Sequence, residues 1–499
     1  MSVTNTNRAY HLSKSLFIKG LKCHKYLWLE KTRPELKDEI SAAQEALFQS
    51  GTDVGTLARD LFPGGVEIPY EGLSYAEQLA RTAQAIADGV PAIYEAAFSY
   101  DGIFMKADIL HKTVQGWHLY EVKSSTGMKD EYLDDISVQY YVLNGAGLLL
   151  TGASLVHINN QYVRQGAIDV HGLFAIQDIT ARVIKKQPFV TEQAAAMRSM
   201  LQADMPCIDI GPQCTDPYEC MYTGYCWQHI PEHSVFSLRD RGVDKFNLYR
   251  QGIIRMEDIP IEQLPWIQRL QVEGTLYKKD HIDAAAVKEF LGTLRYPRCF
   301  LDFETTYMTP VPLHDGTRPY QQIPFQFSAH ILDHEGAQLR HCEFLAPAGS
   351  DPRRQFLESL VEAVPENSCI ITYNSQFETG RLNNLKEWFP EYGHRIDVMI
   401  ENMVDLMLPF KQKSVYLWQL NGSYSLKDVL PVLVPELSYE ELNINNGEMA
   451  SNGWLALVQE TDPDKVETVR KQLLEYCCLD TLAMVKIIEK LKEINPPEA

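Results

Sequence analysis

The segment Arg298–Glu304 constrains the fold more than any other stretch of the chain. It is an apolar run, Cys299–Leu301 with Phe303, interrupted by Asp302 and Glu304. A short run of this kind reads as a strand buried on both faces, as in the middle of a helix-covered sheet. Side chains alternate along a strand, so Asp302 and Glu304 emerge on one face. The pattern predicts an α/β domain with a central strand that aims two acidic groups at a common point. Ser368–Tyr373 and Phe325–Leu332 are further strand candidates, and Val466–Leu491 has the apolar spacing of a long helix.

More acidic groups follow in this region. IITYNSQFETGRL supplies Asn374, Phe377 and Glu378 after a strand. YCCLDTLAMV supplies Tyr476 and Asp480, four apart and so on one helical face. Carboxylates from strand, loop and helix can hold two divalent metals about 4 Å apart, one activating water and the other stabilising the leaving oxygen. The order D-x-E, N-x-x-F-acid, Y-x-x-x-D resembles the DEDD 3′→5′ exonucleases of RNase H-like (DnaQ-like) fold, in the subclass with a Tyr before the last Asp. The resemblance implies Asp302, Glu304, Glu378 and Asp480 as ligands of Mg²⁺ or Mn²⁺, and Tyr476 as the residue that positions water. It departs at Glu378, where the family has Asp. SYSLKDVLP, Ser423 to Pro431, stands where that fold often has a Ser-Leu-Lys helix start. RPYQQIPFQFSAH, DPRRQF, GSYSLKDVLP and YCCLDT also resemble an uncharacterised bacterial domain family found fused behind iron–sulfur RecB-like domains.

A second acidic set lies nearer the N-terminus. ADILHKTVQGWHLYEVKSS reads as two strands, Phe104–Leu110 and Trp117–Val122, joined by a turn through Thr113–Gly116. Asp108 is on the first. Glu121 and Lys123 share a face of the second, with Val122 turned to the core. Two carboxylates can bind a hard divalent cation, and a lysine can polarise water or stabilise charge on a phosphate. The bland alternative is an exposed hairpin with a salt bridge. A helix over Glu131–Leu150, a β-rich stretch Ser154–Val163 and a helix over Thr191–Ala203 are expected next. The D…ExK set, with Gln139, Tyr140 and Tyr141 in DDISVQYYVL, resembles the PD-(D/E)xK nuclease superfamily, in the RecB-like branch that includes CRISPR-associated exonucleases. The resemblance implies Asp108 and Glu121 as metal ligands, Lys123 and Gln139 as catalytic groups, and Glu95, in YEAAF, as a further ligand. Many members carry a metal-binding His after a Gly-Thr pair; here GTDVGTLARDLF has Gly55 near that position.

CTDPYECMYTGYCW places five residues between Cys214, Cys220 and Cys226, and GLKCHKYLWLEK adds Cys23. Thiolates so spaced suit an iron–sulfur cluster or a zinc ion, though the spacing is neither a zinc-finger pair nor a ferredoxin run. The arrangement resembles the iron–sulfur RecB-like nucleases, in which one N-terminal cysteine joins three C-terminal ones. The resemblance implies a structural [4Fe–4S] cluster, with zinc as the alternative. Cys207, Cys299, Cys342, Cys369, Cys477 and Cys478 show no comparable grouping and read as core or incidental. MSVTNTNRAYHLSKSLFIKG lacks a signal peptide's apolar core, and Val142–Val156 is too short and polar to span a membrane. A cytoplasmic protein without disulfides or membrane contact is expected.

With 499 residues the expectation is three blocks: a RecB-like nuclease domain over 1–231, a helical connector over 232–292, and an RNase H-like mixed-sheet domain over 293–499. The connector has Gly242 and Gly252 near helix ends. It reads either as a helix–hairpin–helix-like phosphate grip or as a spacer. From Arg239 to Arg298 it holds 11 Lys+Arg against 9 Asp+Glu, within a chain of net charge −20. That charge excludes a general DNA-coating protein but not a metal-dependent nuclease with a local basic groove. The expected function is degradation of DNA from its ends, in defence or repair. The alternatives are an RNA exonuclease working through the C-terminal domain and a nucleic-acid-binding scaffold with one decayed site.

Overall fold

The computed structural model describes residues 12–39, 53–307 and 309–494. Both of its compact units are mixed α/β. The first comprises 1–229 with 309–320, the second 230–308 with 321–499.

The first unit holds a seven-stranded sheet: β1 (Leu12–Ser13), β2 (Val66–Glu67), β3 (Ala92–Tyr100), β4 (Ile103–Thr113), β5 (Gly116–Lys123), β6 (Leu150–Ile158) and β7 (Phe174–Asp178). The order is β2-β3-β4-β5-β6-β7, with β1 pairing β4. β3, β4 and β5 form an antiparallel meander. β6 runs parallel to β5, which requires a crossover, and the helix Asp130–Gly145 supplies it. That helix packs Ile136, Val138, Val142 and Leu143 against Ile93, Met105, Leu119 and Leu155. It ends before the expected Leu150 because Gly147, at φ 86°, reverses the chain into β6. The helix expected over Thr191–Ala203 runs instead over Thr180–Leu201, straight through Pro188. Burial of Val183, Val190 and Ala194 in the same core overrides the proline.

The segment Thr309–Tyr320 completes this unit. Arg164 Nη1 donates to the carbonyls of Pro312 (3.0 Å) and Leu313 (2.7 Å). Val311 and Tyr320 pack with Val122 and Val156.

The second unit is built on β9 (Arg298–Thr305), β10 (Pro324–Leu332), β11 (Arg340–Leu345), β12 (Cys369–Thr372) and β13 (Met403–Asp405), in the order β11-β10-β9-β12-β13. β9 is central, antiparallel to β10 and parallel to β12. Its Cys299, Leu301 and Phe303 meet the helices Arg353–Ala363 and Ser375–Trp388 through Phe356, Leu357, Leu382 and Leu385. Phe300, on the other face, packs with Met484, Val485 and Ile488 of the long helix Pro463–Ile494. The even-numbered face of β9, with Asp302 and Glu304, is therefore the one the terminal helix covers.

The three-block division is corrected, because the expected connector packs into this second unit. Its strand β8 (His281–Ile282) pairs with β14 (Val415–Tyr416). Gln271 Nε2 donates to the Asn421 carbonyl at 3.0 Å, and Val287 shares a core with Phe300. Among the described residues no helix is long and apolar enough to cross a membrane.

Candidate functional site

In the second unit the acidic residues arrive from three elements. Asp302 and Glu304 come from β9 and Asp480 from the terminal helix. Glu378 lies in the first turn of the helix Ser375–Trp388. The turn before that helix depends on Asn374 in the left-handed region, φ 77°, which Asn tolerates better than most residues. Its N–H donates to Asp405 Oδ1 at 2.9 Å. Glu378 is then carried inward, 2% exposed, with one carboxylate oxygen buried and unpartnered.

The carboxylates disfavour one another's ionisation. Burial, then Asp480, Glu304 and Glu378, push the Asp302 carboxyl far above its ordinary range. Burial and the neighbouring Asp480 do the same to Glu304. Burial, with Asp405 adding, raises Glu378 to about 8. Burial raises Asp480 to about 6, against the pull of Tyr439, Lys427 and Tyr476. Tyr439 Oη donates to Asp480 Oδ1 at 2.5 Å. Lys427 Nζ stands 5.4 Å from the centre of the Tyr476 ring. Burial lowers the Lys427 ammonium's pKa, opposed by Asp480, Glu304 and Asp302.

Sequence reasoning missed Tyr439 and the part played by Lys427. Cys477, expected as core or incidental, is fully buried as a core residue, and its thiol also meets the acidic group. Ligand atoms of Asp302, Glu304 and Cys477 lie within 4.8 Å of one another, and Cys477 Sγ is 3.6 Å from Asp302 Oδ2. Cys478 is likewise not incidental, since its sulfur gathers with His330 and His341, cross-strand partners on β10 and β11. Only the strand register brings those two histidines together, so no local sequence signal marks them.

In the first unit three carboxylates stand in one row across the meander. The pairs Tyr94–Ile109 and Ala96–Ala107 flank Glu95 and Asp108, and Ile109–Tyr120 leads on to Asp108 and Glu121. Asp108 Oδ2 accepts from the Val122 N–H at 2.8 Å. Glu121 is 1% exposed and fully engaged: Oε1 accepts from Lys123 (2.6 Å) and Lys14 (3.1 Å), Oε2 from Gln139 (2.7 Å). Asp135 completes the network at 2.6 Å from Lys123 and 3.2 Å from Lys14. Burial, Asp108 and Asp135 raise Glu121 to about 7. Burial opposes the charge on Lys123, yet Asp135, Glu121 and Asp108 outweigh it and hold its ammonium well above the usual range.

Glu95 adopts φ 56° and pairs with Lys106 at 3.4 Å. It faces a cavity of about 380 Å³ together with Asp108, Glu121, Lys123 and Gly55. A Cβ on Gly55 would meet nothing within 4 Å, so there is room there for a larger side chain. Gly51 and Thr52 lie outside the described residues. Tyr141 turns away to donate to Asp101 at 2.8 Å. Lys14 carried no signal, being 107 residues from Glu121. Asp135 did carry one: it is four before Gln139 on the same helix.

Cys23, Cys214, Cys220 and Cys226 line one small pocket beside Tyr26 and Tyr222. Cys23 is the extended break, φ −163°, between the helices Lys14–Lys22 and His24–Thr32. The Cys220 N–H donates to the Cys214 carbonyl at 2.8 Å. Burial pushes the Cys220 thiol up to about 11, with Cys214 and Cys226 adding. Burial raises Cys226 too, with Cys214 and Cys23 adding. Four cysteines around one small cavity are candidate donors for a soft or borderline metal.

Against known proteins, a family model described as a domain of unknown function (DUF2779) matches residues 299–425. That span holds Asp302, Glu304 and Glu378 and stops short of Tyr476 and Asp480. No curated protein matches the chain.

Proposed function

We propose that this chain is a metal-dependent nuclease that degrades nucleic acid from its ends, DNA before RNA. In this reading the second unit is a DEDD-type exonuclease of RNase H-like fold, and the first is a RecB-like PD-(D/E)xK domain. One observation carries it: Asp302, Glu304, Glu378 and Asp480 gather in a buried, mutually repelling group, next to a tyrosine and a lysine. An all-carboxylate group with an unpartnered buried oxygen fits a hard divalent cation. Bound Mg²⁺ or Mn²⁺ would supply Lewis-acid activation of water and stabilisation of the leaving oxygen. The chain's own residues do the rest. Tyr439 and Tyr476 orient the Asp480 carboxylate, the Tyr476 hydroxyl positions water, and Lys427 balances charge on the phosphate. The four-cysteine pocket would hold a [4Fe–4S] cluster, with zinc as the alternative, as a staple between the two ends of its domain. The test is digestion of end-labelled DNA and RNA with the 5′ or 3′ end blocked, with Mn²⁺ or with chelator. Products that form equally in chelator would overturn the reading.

A binding role for the first unit is the second reading, favoured by Glu121, whose two oxygens are both taken by protein donors. The two readings part at Lys123→Ala, made where Asp302→Ala has silenced the second unit. A working nuclease loses its residual cleavage by roughly 10²-fold or more, because the ammonium stabilises the phosphate. Residual cleavage equal to that of the Asp302→Ala parent assigns the unit to binding.

The buried carboxylates also set a pH dependence. Glu378 rises from 4.5 to about 8 and Asp480 from 3.8 to about 6 on folding. Between those values the folded chain holds protons that the unfolded chain has released. Their stabilisation is therefore complete below about pH 4 and lost as pH rises towards 8. In chelator the melting temperature should fall across that window. Mn²⁺ should restore it, and more at pH 8 than at pH 5, since ligands must be deprotonated to bind. A Mn²⁺ effect independent of pH would contradict this.

A further inference from the structure

We propose that a groove of about 890 Å³ in the second unit, lined by Arg239, Lys245, Phe236, Tyr373 and Tyr424, holds a single-stranded polynucleotide whose end lies at the carboxylates. The proposal rests on the nuclease reading of that centre and deepens it by naming the form of the substrate and the track it follows.

One wall is the segment once expected to be a separate connector, residues 236–245. The opposite wall is made of Tyr373–Asn374 and residues 421–426. Along the chain this second wall adjoins two elements of the carboxylate centre. Asn374 is the turn from which the Glu378 helix starts, and Leu426 precedes Lys427, which feels Asp480, Glu304 and Asp302.

Arg239 and Lys245 bring cationic groups to the groove of an acidic chain. Asp240 is matched by the buried Lys413 at 3.4 Å, so its charge is spent within the fold. Asp428 is held as the anion by the Ser425 hydroxyl at 2.7 Å and offsets part of the charge on Arg239, which leaves Lys245 as the less compensated cation. Lys245 donates to the Phe236 carbonyl at 3.3 Å. Burial lowers the Lys245 ammonium's pKa, and the nearby Arg239 adds to it. Two neighbouring cations that repel one another are relieved by an anion, and successive backbone phosphates provide one at each step.

The remaining lining suits bases. Phe236, Tyr373 and Tyr424 bring aromatic rings to the lining, Phe236 braced by Phe246 at 5.1 Å between ring centres, and the Tyr373 hydroxyl donates to the Tyr424 carbonyl at 2.8 Å, which fixes that pair. Stacking on aromatic faces needs unpaired bases and tolerates any sequence. Cations beside aromatic rings are the combination by which proteins hold single strands, whereas a duplex hides its base faces.

The test uses the full chain in chelator, so that nothing is cleaved. Fluorescent 20-mers of deoxythymidine and of uridine are titrated against the parent, Arg239→Gln/Lys245→Gln, and the harsher Arg239→Glu/Lys245→Glu. Circular dichroism melts check that each is folded. The glutamine pair should bind at least tenfold more weakly, with the slope of log K against log salt flatter by about 1.4, for two lost phosphate contacts on a single strand. Strands carrying 4-thiothymidine or 4-thiouridine should crosslink to Phe236, Tyr373 or Tyr424, and the stronger of the two identifies the polymer. Parental affinity and slope in the glutamine pair, or adducts confined to residues outside 236–245 and 373–426, would overturn the proposal. Because these readouts need no cleavage, the two ideas fail separately. A parent that never cuts removes the nuclease reading alone, and a parent that cuts while the variants bind normally removes the groove alone.

Discussion

Asp302→Ala and Asp480→Ala are each expected to lower the metal-dependent activity of the second unit by roughly 10³-fold or more, measured on 3′-labelled single strands in a Lys123→Ala background. The two residues come from different elements, a central strand and the terminal helix, yet Asp480 raises the Asp302 carboxyl through the buried space they share. A two-metal centre acts as a unit, so losing either carboxylate should cost about as much as losing both. Tyr476→Phe keeps the ring and removes the hydroxyl, and should lower kcat more than it raises KM. Glu378 gives the sharpest discrimination. Glu378→Asp should stay active, while Glu378→Gln, which removes the charge at nearly constant shape, should lose most activity. Full activity in Glu378→Gln would show that the inward-facing Glu378 holds no metal.

Cys214→Ala should give the largest change in the first unit. Anaerobically purified parent should be brown, with broad absorption in the blue, and the variant colourless. The pocket joins the junction of the first two helices to residues 214–226, two stretches about 190 residues apart. Metal bound there closes that long loop, so its loss should cost several kcal/mol and lower the first unit's melting temperature by roughly 10 °C. Cys207→Ala is the control, because Cys207 is exposed and outside the pocket lining. Colourless parent holding one zinc per chain would replace the cluster with a zinc site. Metal-free parent that melts like the variant would remove both.

What the sequence disclosed follows the range of the interactions. The alternation in β9 is local, so the shared face of Asp302 and Glu304 was legible, as was the Asp108–Glu121 hairpin. The helix through Pro188 was not, because the burial of Val183 and Val190 that overrides the proline is tertiary. Lys14, Tyr439 and the histidine pair were hidden for the same reason, since each acts across strands or over long loops. Cys477 was legible as core, and it is fully buried, but its contact with Asp302 was not. Its neighbour is visible only when the helix lies on β9. The fate of the connector turned on two-residue strands and single side-chain contacts, which leave no periodicity to read.

The segment Thr309–Tyr320 sets a clock on synthesis. When His229 has been added, the first unit still lacks the strip whose carbonyls meet Arg164 and whose Val311 and Tyr320 close its core. About 90 further residues must be translated before that strip exists, which at 5–20 residues per second is a wait of roughly 5–18 s. By the end of that interval β9, the central strand of the other unit, has been made, while its partners β10 and β12 are still to come. The nascent chain thus carries two unfinished cores at once, and each is completed only by sequence that follows the other's first half.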